Sequence, residues 1–232
     1  MSIWKYLFNL EERRNWWMRK MPDCPLRDYY EVDFPDKDSD WRQVDYIAVD
    51  YETTGLDQKN DQILSIGYTT VRGSRIYLDE AVHILTKPTV DIPESSAVVH
   101  GILDDQAARA KPIEEALPIL LSALAGKVML AHHAAIEYHF LSNACRYLYG
   151  YPFIGPVVDT LALEVRSFRN RDKAIQAGDL RLAAARARYG LPRYPAHNAL
   201  TDAIAAGELF LAQVAYREGK RQPRLKDLTV IS

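Results

Sequence analysis

The sequence predicts an α/β fold: a mixed five-stranded sheet flanked by helices, preceded by an N-terminal helical arm. Three observations carry that expectation. Residues 62–71 and 76–85 are apolar, strand-like runs joined by Arg72-Gly73-Ser74, the pattern of an antiparallel hairpin. From Pro93 onward apolar residues recur three and four apart, which is helical spacing. Short apolar runs then alternate with helical stretches, as they do where strands are joined by helices.

The elements follow in order. In residues 1–21, Ile3, Leu7, Leu10, Trp17 and Met21 fall near helical spacing, with Trp4, Phe8 and Met18 beside them. Lys5, Glu11, Glu12, Arg13, Arg14, Arg19 and Lys20 break that segment too early for a signal-peptide core. It reads as an amphipathic helix, serving either its own domain or a contact with a second copy or another protein. Residues 22–44, rich in Pro, Asp and Tyr without sustained period, read as a connecting arm. Tyr46-Ile-Ala-Val-Asp50 is the first strand, and the hairpin supplies the next two. Residues 95–109 and 113–124 read as helices, 128–131 as the fourth strand and 134–148 as a helix. Val157-Val158 is a short fifth strand; helical stretches follow at 160–166, 180–189 and 200–216. The main domain is expected over 45–220, with a short basic tail at 221–232.

Composition excludes several function classes. The 232 residues carry 29 Lys and Arg against 31 Asp and Glu, a net charge of −2. Bulk-charge coating of nucleic acid needs a strongly basic chain, so any such contact must be local. Two cysteines, Cys24 and Cys145, exclude a disulfide framework and a cysteine-built zinc module. No apolar run approaches the ~18–20 residues that span a bilayer, so no membrane role is expected, and the expected location is the cytoplasm.

The informative residues are acids at strand ends and helix starts. Asp50 and Glu52 flank Tyr51; residues two apart on a strand share a face, so both carboxylates point the same way. Thr53-Thr54-Gly55 follows, offering hydroxyls, backbone donors and a glycine that allows close approach. Glu137 stands in the helix after the fourth strand, within Ala131-His-His-Ala-Ala-Ile-Glu137. His197 and Asp202 open the last helix. Each acid alone has a solvated-surface explanation. Their ordered set does not.

That set resembles the DnaQ-like 3′→5′ exonucleases, the histidine branch that includes the epsilon proofreading subunit of bacterial DNA polymerase III. Asp50-Tyr-Glu52-Thr-Thr-Gly55, the Ala131-His-His-Ala segment, the five-residue step from His197 to Asp202, Val99-His100-Gly101-Ile102 and Asp159-Thr-Leu carry the likeness over about residues 45–215. The resemblance implies a ribonuclease H-like fold and two Mg²⁺ or Mn²⁺ ions held by Asp50, Glu52, Glu137 and Asp202. Asp50 would bridge, Glu52 and Asp202 complete one ion site, and Glu137 support the other. His197 would be the general base, and a histidine's ordinary pKa near ~6.5 suits that role at neutral pH. Thr53, Thr54, Gly55, Leu56, His100 and His133 would meet the terminal nucleotide. Three residues depart from the family pattern: Glu137 stands where Asp is usual, Ile136 where an aromatic is, and His133 where Asn is.

The expected partner is therefore the 3′ end of a single-stranded nucleic acid, DNA first, with RNA and oligonucleotides as alternatives. A locally basic stretch, residues 165–193 with Arg166, Arg169, Arg171, Lys173, Arg181, Arg186, Arg188 and Arg193, offers either phosphate contacts or solvated helix faces. The competing reading is a weakly active or noncatalytic nucleic-acid-binding module recruited through its N-terminal helix. Glu137 favours it; the intact Asp50, Glu52, His197 and Asp202 oppose it.

Overall fold

The computed structural model describes residues 9–57, 60–217 and 222–231. Ile3, Trp4, Leu7 and Phe8 of the expected N-terminal helix lie outside them. The remainder of that segment forms α1 (Leu10–Met18). Asn9 caps it: its side-chain oxygen accepts from Glu12 N at 2.8 Å, while Glu12 accepts from Asn9 N at 2.9 Å. Arg14 turns inward and donates to the carbonyls of Tyr30 and Val32, each at 2.8 Å. Leu10 is buried and Trp17 and Met18 pack on the main core, so the described part of the helix rests on its own chain.

The segment read as a connecting arm holds a second helix, α2 (Pro25–Glu31). Pro25 opens it, where its missing N–H is no loss. Leu26, Tyr29 and Tyr30 bury the inner face, and the two phenols donate to the carbonyls of Ile154 and Pro152.

The sheet runs β3-β2-β1-β4-β5-β6, from β1 (Asp45–Thr53), β2 (Ile63–Arg72), β3 (Arg75–Leu85), β4 (Val128–Ala131), β5 (Val157–Asp159) and β6 (Thr229–Ile231). β1 pairs antiparallel with β2 and parallel with β4, so the mixed sheet and the hairpin are present as expected. It has six strands, not five. The sixth comes from the segment read as a basic tail, where α10 (Leu225–Leu228) buries Leu225 and Leu228 and β6 adds to the edge of β5.

The helices are α3 (Glu94–His100), α4 (Asp104–Ala108), α5 (Ile113–Leu124), α6 (Ala135–Tyr149), α7 (Thr160–Asn170), α8 (Leu182–Arg188) and α9 (Ala199–Arg217). The expected single helix over 95–109 is two, because Gly101 adopts φ +70°, a left-handed cap that ends α3. Strand alternation divides the core. Ile47, Val49 and Tyr51 of β1 face α2, α5 and α6; Tyr46 and Ala48 face Phe210 and Val214 of α9 and Leu163 of α7. Asp50 and Glu52 continue the second series, and that is the face on which α9 lies. Among the described residues no helix is long and apolar enough to cross a membrane.

Candidate active site

The first two acids are set by β1 itself. Asp50 is paired with Gly67 and Glu52 with Ser65, and the ladder slips by one residue between Glu52 and Thr53. Such a bulge bends the strand end where the side chains must be aimed. Gly67 has a second consequence. A Cβ there would collide with the backbone of Ala199 and Leu200, so the glycine is what lets the first turn of α9 lie on the sheet beside Asp50.

That first turn carries Asp202. Its Oδ2 accepts from the backbone N of His197 at 2.8 Å, and Asn198 Oδ1 accepts from Thr201 N at 3.1 Å. The chain thus enters α9 through two side-chain caps. His197 stands at φ +67°, a left-handed conformation held by these bonds, with its side chain exposed.

Carboxylate oxygens of Asp50, Glu52 and Asp202 lie within 4.8 Å of one another. Among the described residues, none of the ion pairs involves these acids or Glu137. Burial pushes the Asp50 carboxyl well up, and the charges of Glu137, Asp202 and Glu52 push it further. Glu52 is raised to about 7 by burial and then by Asp202. Asp202 is raised by burial, against the opposing bonds from the His197 and Asn198 backbone and the charges of His197 and Arg186. Clustered acids favour their protonated forms over the ionised ones, and a bound cation reverses that preference. Oxygen-only donors of this kind fit a hard divalent ion such as Mg²⁺ or Mn²⁺.

Glu137 lies in the first turn of α6, buried beside this cluster but outside it. Its Oε2 has no hydrogen-bond partner among the described residues, and neither has the neighbouring Tyr51 hydroxyl. Burial raises its pKa first, and the charge of Asp159 raises it further. The start of α6 is fixed from β5. Asp159 Oδ1 accepts from His133 N and Leu161 N, each at 2.9 Å. His132 bonds Thr160 Oγ1 and Leu180 O, each at 2.8 Å, so both ring nitrogens are engaged. His133 is exposed with φ +73°, a conformation that Asn adopts more readily.

The expected substrate contacts are placed as follows. Thr53 Oγ1 donates to Gly55 O at 2.6 Å and Thr54 Oγ1 to Asp61 Oδ1 at 2.8 Å, so both hydroxyl protons serve the loop. A Cβ at Gly55 would meet the Asp61 carboxylate, which would have to shift to make room. Leu56 is 82% exposed and is not a core residue. Ser96 Oγ donates to Thr54 O at 2.6 Å and ties α3 to this loop. His100, at the end of α3, accepts from Ile102 N through Nδ1 at 3.1 Å. Its proton then sits on Nε2, which is buried without a partner among the described residues, and His197 is close enough to lower its pKa, after burial. In the basic stretch, three side chains are structural. Arg166 donates to the carbonyls of Asp227 and Thr229, Arg186 is buried, and Arg188 pairs with Glu164 at 2.8 Å. Arg169, Arg171, Lys173, Arg181 and Arg193 are exposed.

A mixed sheet with two acids on its central strand and a third on the helix across it defines a ribonuclease H-like nuclease fold. Comparison with known proteins narrows the class. Residues 47–210 match the exonuclease family model, and the chain belongs to that family, in its DnaQ-like branch. It is 32% identical over 174 residues to a PolC-type DNA polymerase III of Thermotoga maritima, covering 75% of this chain and 12% of that protein. It is 31% identical over 170 residues to a DNA polymerase III subunit epsilon-like protein of Rhodobacter capsulatus, covering 73% of this chain and 23% of that one. The chain therefore spans a small part of these relatives. Among solved structures, the nuclease domain of 3′hExo, a DEDDh family member bound to rAMP, superposes with a TM-score of 0.64 at 13% identity, covering 80% of this chain and 98% of that one. E. coli exonuclease I in complex with a dA16 oligonucleotide superposes with a TM-score of 0.64 at 16% identity, covering 80% and 42%.

Sequence reasoning gave no site role to Gly67, although an isolated glycine inside a strand marks close backbone approach. It named Asp159 only as part of the family likeness, not as the acid that fixes the start of α6. It named Arg186 only as one of several basic side chains open to phosphate, whereas the side chain is buried.

Proposed function

We propose that this chain is a metal-dependent 3′→5′ exonuclease that hydrolyses single-stranded DNA from its 3′ end and releases nucleoside monophosphates. The observation that carries the reading is the convergence of Asp50, Glu52 and Asp202 beside buried Glu137, whose Oε2 has no hydrogen-bond partner among the described residues. Family membership supports it, as do the oligonucleotide and nucleotide complexes of the structural neighbours.

Asp50, Glu52 and Asp202, with Glu137 beside them, would hold two Mg²⁺ or Mn²⁺ ions. Ions held there neutralise phosphate charge and make water a competent nucleophile. The chain's own residues do the rest. His197 stands five residues before Asp202, exposed on a strained turn, and takes the proton of the attacking water through its side chain. The Thr53-Thr54-Gly55 loop meets the terminal nucleotide through its backbone, and exposed Leu56 offers an apolar surface to the last base. His100 presents an Nε2–H donor, and His133 extends the rim at the start of α6.

End-labelled single-stranded DNA and RNA, incubated with Mg²⁺, Mn²⁺ or EDTA, test this reading. Metal-dependent shortening from the 3′ end, absent with Asp50→Ala, is the expected result. Binding of both polymers without shortening would instead support the noncatalytic module.

A further inference from the structure

We propose that Arg186 is a positioning residue for His197, a buried fork that fixes the loop on which His197 stands. The inference rests on the reading of His197 as the base. Arg186 is 3% exposed at the end of α8. Its Nη1 donates to Ala205 O at 2.7 Å, and its Nη2 to Pro192 O at 2.9 Å and to Glu208 Oε2 at 2.7 Å. The guanidinium stacks on the Tyr194 ring, 4.6 Å from its centroid, and the Tyr194 hydroxyl donates to Glu208 Oε1 at 2.9 Å.

The partners matter more than their number. Ala205 and Glu208 lie on α9, three and six residues beyond Asp202, so they belong to the helix that carries the metal-facing acid. Pro192 and Tyr194 belong to the loop, and only Pro195 and Ala196 separate Tyr194 from His197. Downstream, the His197 N–H ends on Asp202. His197 is thereby referenced to α9 from both sides, and its φ of +67° is held between the two anchors. A buried guanidinium carries a desolvation penalty, and an apolar side chain would fill the same space without it. What the planar fork adds is direction: it joins carbonyls of two segments and a carboxylate in one fixed geometry.

The test compares wild type with Arg186→Met, His197→Ala and the double variant, using single-stranded DNA and Mn²⁺. For a folded Arg186→Met, kcat should fall about 10-fold or more, since a small misplacement of a reacting group is enough for that. KM and Mn²⁺ affinity should stay within about threefold. In the His197→Ala background the same substitution should remove no further activity, because both act through one group. Unchanged kcat, an undiminished effect without His197, or an equal loss of Mn²⁺ affinity would each overturn the proposal, the last by placing the effect at Asp202. If Arg186→Met does not fold, Tyr194→Phe removes only the hydroxyl bond to Glu208; a lower kcat at constant KM supports the clamp, and wild-type kcat overturns it. His197→Ala with wild-type turnover would overturn the base assignment instead. The imidazole C–H resonances of His197, recorded without substrate, read the clamp independently: they should shift or broaden in Arg186→Met, and unmoved resonances contradict it.

Discussion

The backbone of Leu200 occupies the space that a Cβ on Gly67 would need, and Gly67 pairs with Asp50 across the β1–β2 ladder. One missing methyl group therefore sets how closely the helix bearing Asp202 approaches the strand bearing Asp50 and Glu52. Gly67→Ala must push α9 outward. It should destabilise the protein by about 1–3 kcal/mol, the usual effect of overpacking, and should weaken Mn²⁺ binding far more than an alanine elsewhere in β2. Thermal melts with and without Mn²⁺ measure both effects.

The raised pKa values of Asp50, Glu52 and Asp202 give a pH dependence with a definite sign. Carboxyls whose folded pKa lies above the unfolded value bind more protons in the native state. Without metal, their contribution favours the native state at low pH and is lost as pH rises from about 4 through the raised values, which for Glu52 is about 7. Divalent ions displace those protons, so Mn²⁺ should raise Tm little at pH 5 and substantially at pH 8. At 100 times its Kd a native-state ligand contributes about 2.7 kcal/mol, readable as a Tm shift of several degrees. An equal shift at both pH values would argue against the acids as ligands.

Glu137 combines burial, an orphaned oxygen and a like-charged neighbourhood. Glu137→Gln keeps the shape and removes the charge. The metal-free variant should be more stable than wild type at pH 8, while hydrolysis should fall by about 100-fold or more, as for loss of a group that stabilises developing charge. Denaturant melts and initial rates on one preparation check the opposed signs.

His133 adopts φ +73° with an exposed ring. A left-handed backbone costs an ordinary residue about 1–2 kcal/mol, and Asn tolerates it better. His133→Asn should therefore raise Tm by about 2–4 °C, the equivalent of about 1 kcal/mol in a chain of this size. A lowered Tm would mean that the ring makes stabilising contacts.

Much of the candidate site was legible because the pattern lies in residue types at fixed spacing. Asp50 and Glu52 share a face by strand alternation, and His197 precedes Asp202 at a helix start. The α/β pattern was legible for the same reason, since hairpin and helix periods differ. Other parts were not. The strand Thr229–Ile231 is three residues long and follows basic chain, too short for alternation to register. Leu26, Tyr29 and Tyr30 have helical spacing, but a helix of seven residues among prolines gives no sustained period. The contrast between Arg186, buried at 3%, and Arg181, exposed five residues earlier, depends on loop closure over α8, which only the tertiary fold supplies.

The central claim is that the carboxylates of β1 and α9 together hold divalent ions. Calorimetric titration of Mn²⁺ into wild type and into Asp50→Asn tests it most directly, with circular dichroism confirming that the variant is folded. Saturable binding by wild type and its loss in Asp50→Asn is the predicted result. Undiminished binding by a folded Asp50→Asn protein would contradict the account.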